Sequence, residues 1–187
     1  MLLIPGWLIA TLTFPGVIVH EVAHRFFCDL ARVPVFEVCY FRVDKRAGYV
    51  GHGEPGRLSA SFLIAIGPLI LNTVLCAVIS FGPIIALNLD SENTPVVFFI
   101  LGWLGISIGM HAFPSGQDMR NFSDAVHASR GRGLLYVAAK GFEALIRLAN
   151  ALRFVWFDLV YAIAVAWIAP GAIALFAQVA AAGPVGQ

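Results

Sequence analysis

Over most of this chain apolar positions do not alternate with polar ones; they run together. Four runs approach or exceed the ~20 residues that cross a bilayer as a helix. They lie at Leu2 to His24, with helix-compatible sequence on to Arg32, and at Leu58 to Phe81, Pro95 to Phe113 and Phe154 to Ala182. Pro15 either kinks the first helix or begins a new one at its N1 position, because its ring removes a backbone donor. Pro170-Gly171 either kinks the last helix or breaks its end. Between the runs the pattern changes twice. Phe36 to His52 alternates in part around a turn at Asp44 to Gly48, which predicts a β-hairpin. Such a hairpin either caps the helices or offers an edge to an extended peptide. From Leu134 to Phe154, Lys140, Glu143, Arg147 and Arg153 recur at helical spacing among apolar residues. That predicts an amphipathic helix, lying at a membrane surface or packed on the domain. The small-residue tail from Ala180 to Gln187 is expected to fray.

Composition pushes the reading towards lipid. Of 187 residues, 59% are hydrophobic and 12% charged, and the mean hydropathy is +0.84; a water-soluble interior of this size cannot hide so many apolar side chains. The cations are partitioned. Arg25, Arg32, Arg42, Lys45, Arg46 and Arg57 fall between the first and second runs, and Arg120, Arg130, Arg132, Lys140, Arg147 and Arg153 between the third and fourth. By the positive-inside rule both sets face the cytoplasm and both termini lie outside a cell membrane. The start lacks the basic region of a signal peptide. The expected architecture is an all-α polytopic membrane protein. It has about four transmembrane helices, a small cytoplasmic hairpin and an amphipathic interfacial helix. One domain covers 1–187, with its core at 15–118, the hairpin at 36–52 and a C-terminal part at 134–182. A net charge of +1 without a basic run excludes nucleic acid as partner. Cys28, Cys39 and Cys76 have neither disulfide-framework nor metal-site spacing.

Chemistry concentrates at His20-Glu21-Val22-Ala23-His24, an H-E-x-x-H pattern. On a helix the two histidines share a face and can hold one zinc ion, while Glu21 can take a proton from water activated there. Ionisable groups inside an apolar run cost several kcal/mol each unless compensated, which a cation would do; the plainer alternative is that they face an aqueous rim. A catalytic zinc takes three protein ligands. Asp118, beyond the third run, is the candidate third ligand, because two neutral histidines, two carboxylates and a divalent ion sum to zero charge. Asp118 could instead cap the following helix, leaving His111 or His52 to complete the site. Asn72 is a lone polar residue in the second run, either joining helices by a hydrogen bond or supporting a substrate carbonyl or its transition state.

The combination of H-E-x-x-H within an apolar run, a hairpin, Gly67-Pro68 with Asn72, and Asp118 after Pro114 resembles the site-2 protease family of intramembrane zinc metalloproteases. The match spans about Pro15 to Asp118. The family usually carries N-x-x-P-x-x-P-x-D-G, where this chain has His111-Ala-Phe-Pro114-Ser-Gly-Gln-Asp118-Met119, and its G-P-x-x-N appears with one extra residue before Asn72. The resemblance implies one zinc ion on His20, His24 and Asp118, Glu21 as general base, His111 and Asn72 as support, and hydrolysis of peptide bonds in or near transmembrane segments of membrane proteins. The lipid bilayer and such a membrane-protein substrate are then the expected partners. The alternatives are a non-peptide membrane hydrolase and a non-catalytic metal-binding membrane adaptor.

Overall fold

The first apolar run does not make one rod. Pro15 sits in the first turn of a new helix, where its missing N–H costs nothing, and Thr13 forms the joint. Helix α1 (Gly6–Leu12) therefore meets α2 (Phe14–Leu30) at 89°. The computed structural model describes residues 4–44, 47–82, 94–129 and 133–181. After α2 come strands β1 (Val35–Cys39) and β2 (Tyr49–His52), then α3 (Leu58–Ile79), α4 (Thr94–Met110), α5 (Gly116–Ala128) and α6 (Leu134–Leu152). A short 3-10 turn, Arg153–Val155, leads into α7 (Phe157–Ala181). Lys45, Arg46, Arg130, Arg132, most of the 82–94 connection and residues 182–187 of the tail lie outside the described residues.

The strands pair antiparallel, Cys39 opposite Tyr49 and Glu37 opposite Gly51, with a one-residue irregularity between Val35 and Glu37. Val35 and Val50 pack on Cys28, Val33, Ala60 and Ile64, seating the hairpin against α2 and α3. The largest apolar cluster joins α3, α5 and α6 through Ala65, Met119, Phe122, Val126, Phe142 and Ile146. Burying a side chain such as Phe122 or Ile146 contributes about 2 kcal/mol. Along α6 the buried positions Ala139, Phe142, Glu143, Ile146 and Ala149 recur every three or four residues, so its stripe faces α5. This stripe is spent on packing within the protein, which corrects the expectation of an interfacial helix, while Leu134, Val137, Leu145 and Leu148 of the same helix stay exposed.

The four-span bundle is corrected too. Among the described residues one helix, α3, is long and apolar enough to cross a membrane, and the number reaches three only if each bent pair is taken as a single span. The run at Pro95 to Phe113 becomes a 17-residue helix. The run from Phe154 begins in the 3-10 turn, and α6 with that turn meets the start of α7 at 101° around Trp156, a left-handed residue with φ 62°. Apolarity sets how much side chain is to be covered; local backbone breaks decide whether one straight rod covers it. Polar side chains buried between these elements, Asn72, Ser107, Ser123 and Glu143, are bonded internally. These findings overturn the multi-pass architecture and what was built on it: termini outside a cell membrane, a site beneath its cytoplasmic face, the bilayer and a membrane-protein substrate as partners, and intramembrane cleavage of transmembrane segments.

Candidate metal centre

The break that begins α2 also fixes where its histidines go. The Ser107 hydroxyl on α4 donates to the Thr13 carbonyl at 2.9 Å and accepts from the Gly16 N–H at 3.0 Å. Gly16 permits this approach: a Cβ there would stand 2.0 Å from the Ser107 carbonyl oxygen. One turn further, His20 Nδ1 donates to the His111 carbonyl oxygen at 2.6 Å. That bond assigns the proton to Nδ1 and leaves the Nε2 lone pair for a ligand. His24 lies one turn on, ring to ring with His20 at 4.8 Å.

Asp118 arrives from α5. Ser115 is the N-cap, its hydroxyl accepting from the Asp118 N–H at 3.3 Å, while Asp118 Oδ2 accepts from the Ser115 N–H at 2.7 Å. The cap and the candidate ligand are therefore not alternatives, because Asp118 closes a capping box from the third helical position and still reaches the histidines. Its Oδ2 stands 3.6 Å from His20 Nε2 and 3.3 Å from His24 Nε2. Ligands about 2.0–2.1 Å from a tetrahedral ion are roughly 3.3–3.4 Å apart, close to both separations. Among the described residues His24 Nε2 is buried without a hydrogen-bond partner. An orphaned imidazole nitrogen aimed at a carboxylate is costly alone and accounted for by a shared cation. Burial pushes the Asp118 carboxyl up, but the two imidazoles outweigh it and hold it well below the usual carboxylate range. His20, His24 and Asp118 can hold a divalent cation, their candidate ligand atoms all within 4.8 Å of one another.

The other sequence candidates take different places. Glu21 is buried and lines a cavity of about 550 Å³ together with His20, His24, Asp118 and the inner strand β2. His52, at the end of β2, lines the same cavity, with Nδ1 2.8 Å from the Gly53 carbonyl. The His111 ring turns from the triad to place Nε2 2.8 Å from the Thr13 hydroxyl, which itself donates to Ile9. Burial, followed by His20 and Arg153 nearby, pushes His111 down to about 3, so its ring is neutral. It meets His20 through its backbone carbonyl. Among the described residues, neither His111 nor His52 joins the metal-compatible cluster. Asn72 donates from its amide to the carbonyls of Ile108 at 3.2 Å and His111 at 3.1 Å. It thus secures the carbonyl that orients His20 and lies outside the cavity lining.

Comparison with protein-family models, curated proteins and solved structures finds no match. The likeness to the site-2 protease family therefore rests on the local motif and this triad alone.

Two contributors carry no clear signal in the sequence. Ser107 is one small polar residue in an apolar run, without a periodic pattern around it. Arg153 reads as one more topological cation, yet it lines the cavity beside Asp118.

Proposed function

We propose that this protein is a zinc-dependent endopeptidase that hydrolyses peptide bonds in extended polypeptide. The orphaned His24 Nε2, facing Asp118 across the gap an ion would bridge, carries the reading. The H-E-x-x-H spacing and its resemblance to site-2 proteases support zinc and peptide chemistry, without the membrane setting of that family. The charge balance of His20, His24, Asp118 and Glu21 favours a divalent ion.

A zinc ion held there supplies Lewis acidity to a carbonyl and to water. Glu21, in the same cavity, removes a proton from the attacking water and delivers it to the departing amine nitrogen. His20 is oriented by its Nδ1 bond to the His111 carbonyl, which leaves Nε2 facing Asp118. Tyr49, Val50 and Gly51 of β2 line the cavity, with β1 on their other side. An extended substrate pairing along β2 presents its carbonyl with the main chain unfolded, as hydrolysis requires.

The test is zinc content and cleavage of an internally quenched peptide by purified protein. Glu21→Gln is expected to keep one zinc and lose at least about a hundredfold in kcat, the scale of general-base catalysis. His24→Ala and Asp118→Ala are expected to lose the metal. Full turnover by a zinc-loaded Glu21→Gln variant, or unchanged zinc affinity in Asp118→Ala, contradicts the proposal.

A further inference from the structure

We propose that Arg153 is the anion-binding group of this cavity, receiving a negatively charged substrate oxygen: the oxyanion formed as the carbonyl is attacked, or a terminal carboxylate. The inference deepens the hydrolase reading and rests on it for the identity of the substrate.

Arg153 is held where α6 ends, in the 3-10 turn before the left-handed Trp156, so its backbone is fixed by the bend itself. Its side chain lines the cavity that His20, Glu21, His24 and Asp118 also line. Among the described residues one hydrogen bond anchors it, from Nη2 to the Phe113 carbonyl at 3.2 Å, on the short connection leading into Asp118's helix. Its buried Nε has no hydrogen-bond partner among the described residues. Its ion-pair partner among the described residues is Asp158, whose Oδ2 stands 4.0 Å from Nε, beyond hydrogen-bond reach. A guanidinium has five N–H donors in a planar fork suited to paired oxygens, and a structural role in tying α6 to residue 113 uses one of them. Burial lowers the pKa of Arg153 on balance, against the raising charges of Asp158 and Asp118; a guanidinium still stays a cation, here with donors unspent among the described residues.

The chemistry gives such a group a use. When water oxygen attacks the carbonyl carbon, the C=O π pair moves onto oxygen and leaves a full negative charge there. As that pair returns, the C–N bond breaks and Glu21 protonates the amine. Glu21 becomes neutral as it takes the proton from water, so its charge passes to the oxyanion and the sum with a divalent ion and Asp118 stays zero; a preorganised cationic donor lining the cavity adds stabilisation at that oxygen.

The experiment uses the full chain loaded with zinc, with inorganic phosphate as the anionic probe in calorimetric titration. A separate zinc titration and thermal melt check metal and fold. Arg153→Gln is expected to keep zinc affinity within about threefold and weaken phosphate at least tenfold; Arg153→Lys falls between the two. Asp158→Asn, which removes the competing charge, is expected to tighten phosphate about threefold, a gain that a merely structural arginine would not produce. Phosphate affinity unchanged in both Arg153 variants, or weakened in Asp158→Asn, overturns the proposal.

Two quenched peptides distinguish the sources of the anion, one ending in a carboxamide and one in a free acid close to the cleaved bond. A tenfold loss of kcat by Arg153→Gln on both, with KM unchanged, assigns the oxyanion. A rise in KM for the free acid alone assigns the carboxylate. If no protein cleaves either peptide while phosphate binding still follows Arg153, the anion site stands and the peptidase reading falls.

Discussion

Glu21 shares its side of the cavity with a residue that has no side chain. A Cβ on Gly48 would lie 2.8 Å from Glu21 Cγ and 3.1 Å from the Cys39 carbonyl oxygen, so the strand approaches closely only because position 48 is glycine. Gly48→Ala is expected to displace Glu21 while leaving His20, His24 and Asp118 in place. Zinc content should stay at wild-type level while kcat falls roughly tenfold to a hundredfold, the usual cost of a small misplacement of a reacting group. Equal loss of zinc and activity would show instead that the variant disturbs the ligands. Glu21 and the histidine pair were legible in the sequence, because a spacing of four on a helix is local geometry. The closeness of Gly48 was not, since it depends on how the hairpin docks on α2.

The pairing of α5 with α6 carries its own titration. Glu143 is buried in the stripe of α6 and accepts from Ser123 at 2.6 Å, Arg147 at 2.7 Å and Lys140 at 3.0 Å. Burial raises its pKa, but those donors outweigh it and bring the carboxyl from 4.5 down to about 2. A depressed folded-state pKa means that the ionised form favours folding. The contribution is complete above the unfolded value and is lost as pH falls from about 4.5 to about 2. Wild-type thermal stability should fall across that window by more than that of Glu143→Gln, which is expected to be less stable at neutral pH by about 1–3 kcal/mol. Parallel acid profiles for the two proteins would count against this pairing. The sequence showed a helix at Leu134 to Phe154 with charges at helical spacing, within two residues of the observed α6. It did not show which side those charges serve, because Glu143 lies on the buried stripe and is tolerable there only with partners on α5 and on its own helix.

Across the whole molecule the candidate ligands come from two helices far apart in sequence, α2 and α5, so a cation would cross-link them. Ligand binding to the folded state alone stabilises it by about 2.7 kcal/mol at a free concentration a hundred times Kd. Zinc should therefore raise the Tm by several degrees and a chelator reverse it, while Asp118→Ala and His24→Ala should show no zinc-dependent change. A Tm indifferent to zinc in the wild type would mean that the triad does not bridge the helices. Large apolar side chains remain on the outside, Phe36, Phe99, Leu134 and Trp167 among them, so the folded interior does not take up all of the apolar composition. Short-range geometry was written in the order of the residues: the histidine pair with Glu21 on one helical turn, the antiparallel pairing of two short strands, and the choice at Pro15 between a kink and a fresh helix. Long-range packing had to supply the rest. It starts a fresh helix at Pro15, lets Asp118 both cap α5 and face the histidines, turns His111 so that it serves through its carbonyl, and brings Arg153 into the cavity. Each of these depends on distances between segments that side-chain packing sets, and a pattern of neighbours along the chain holds no information about those distances.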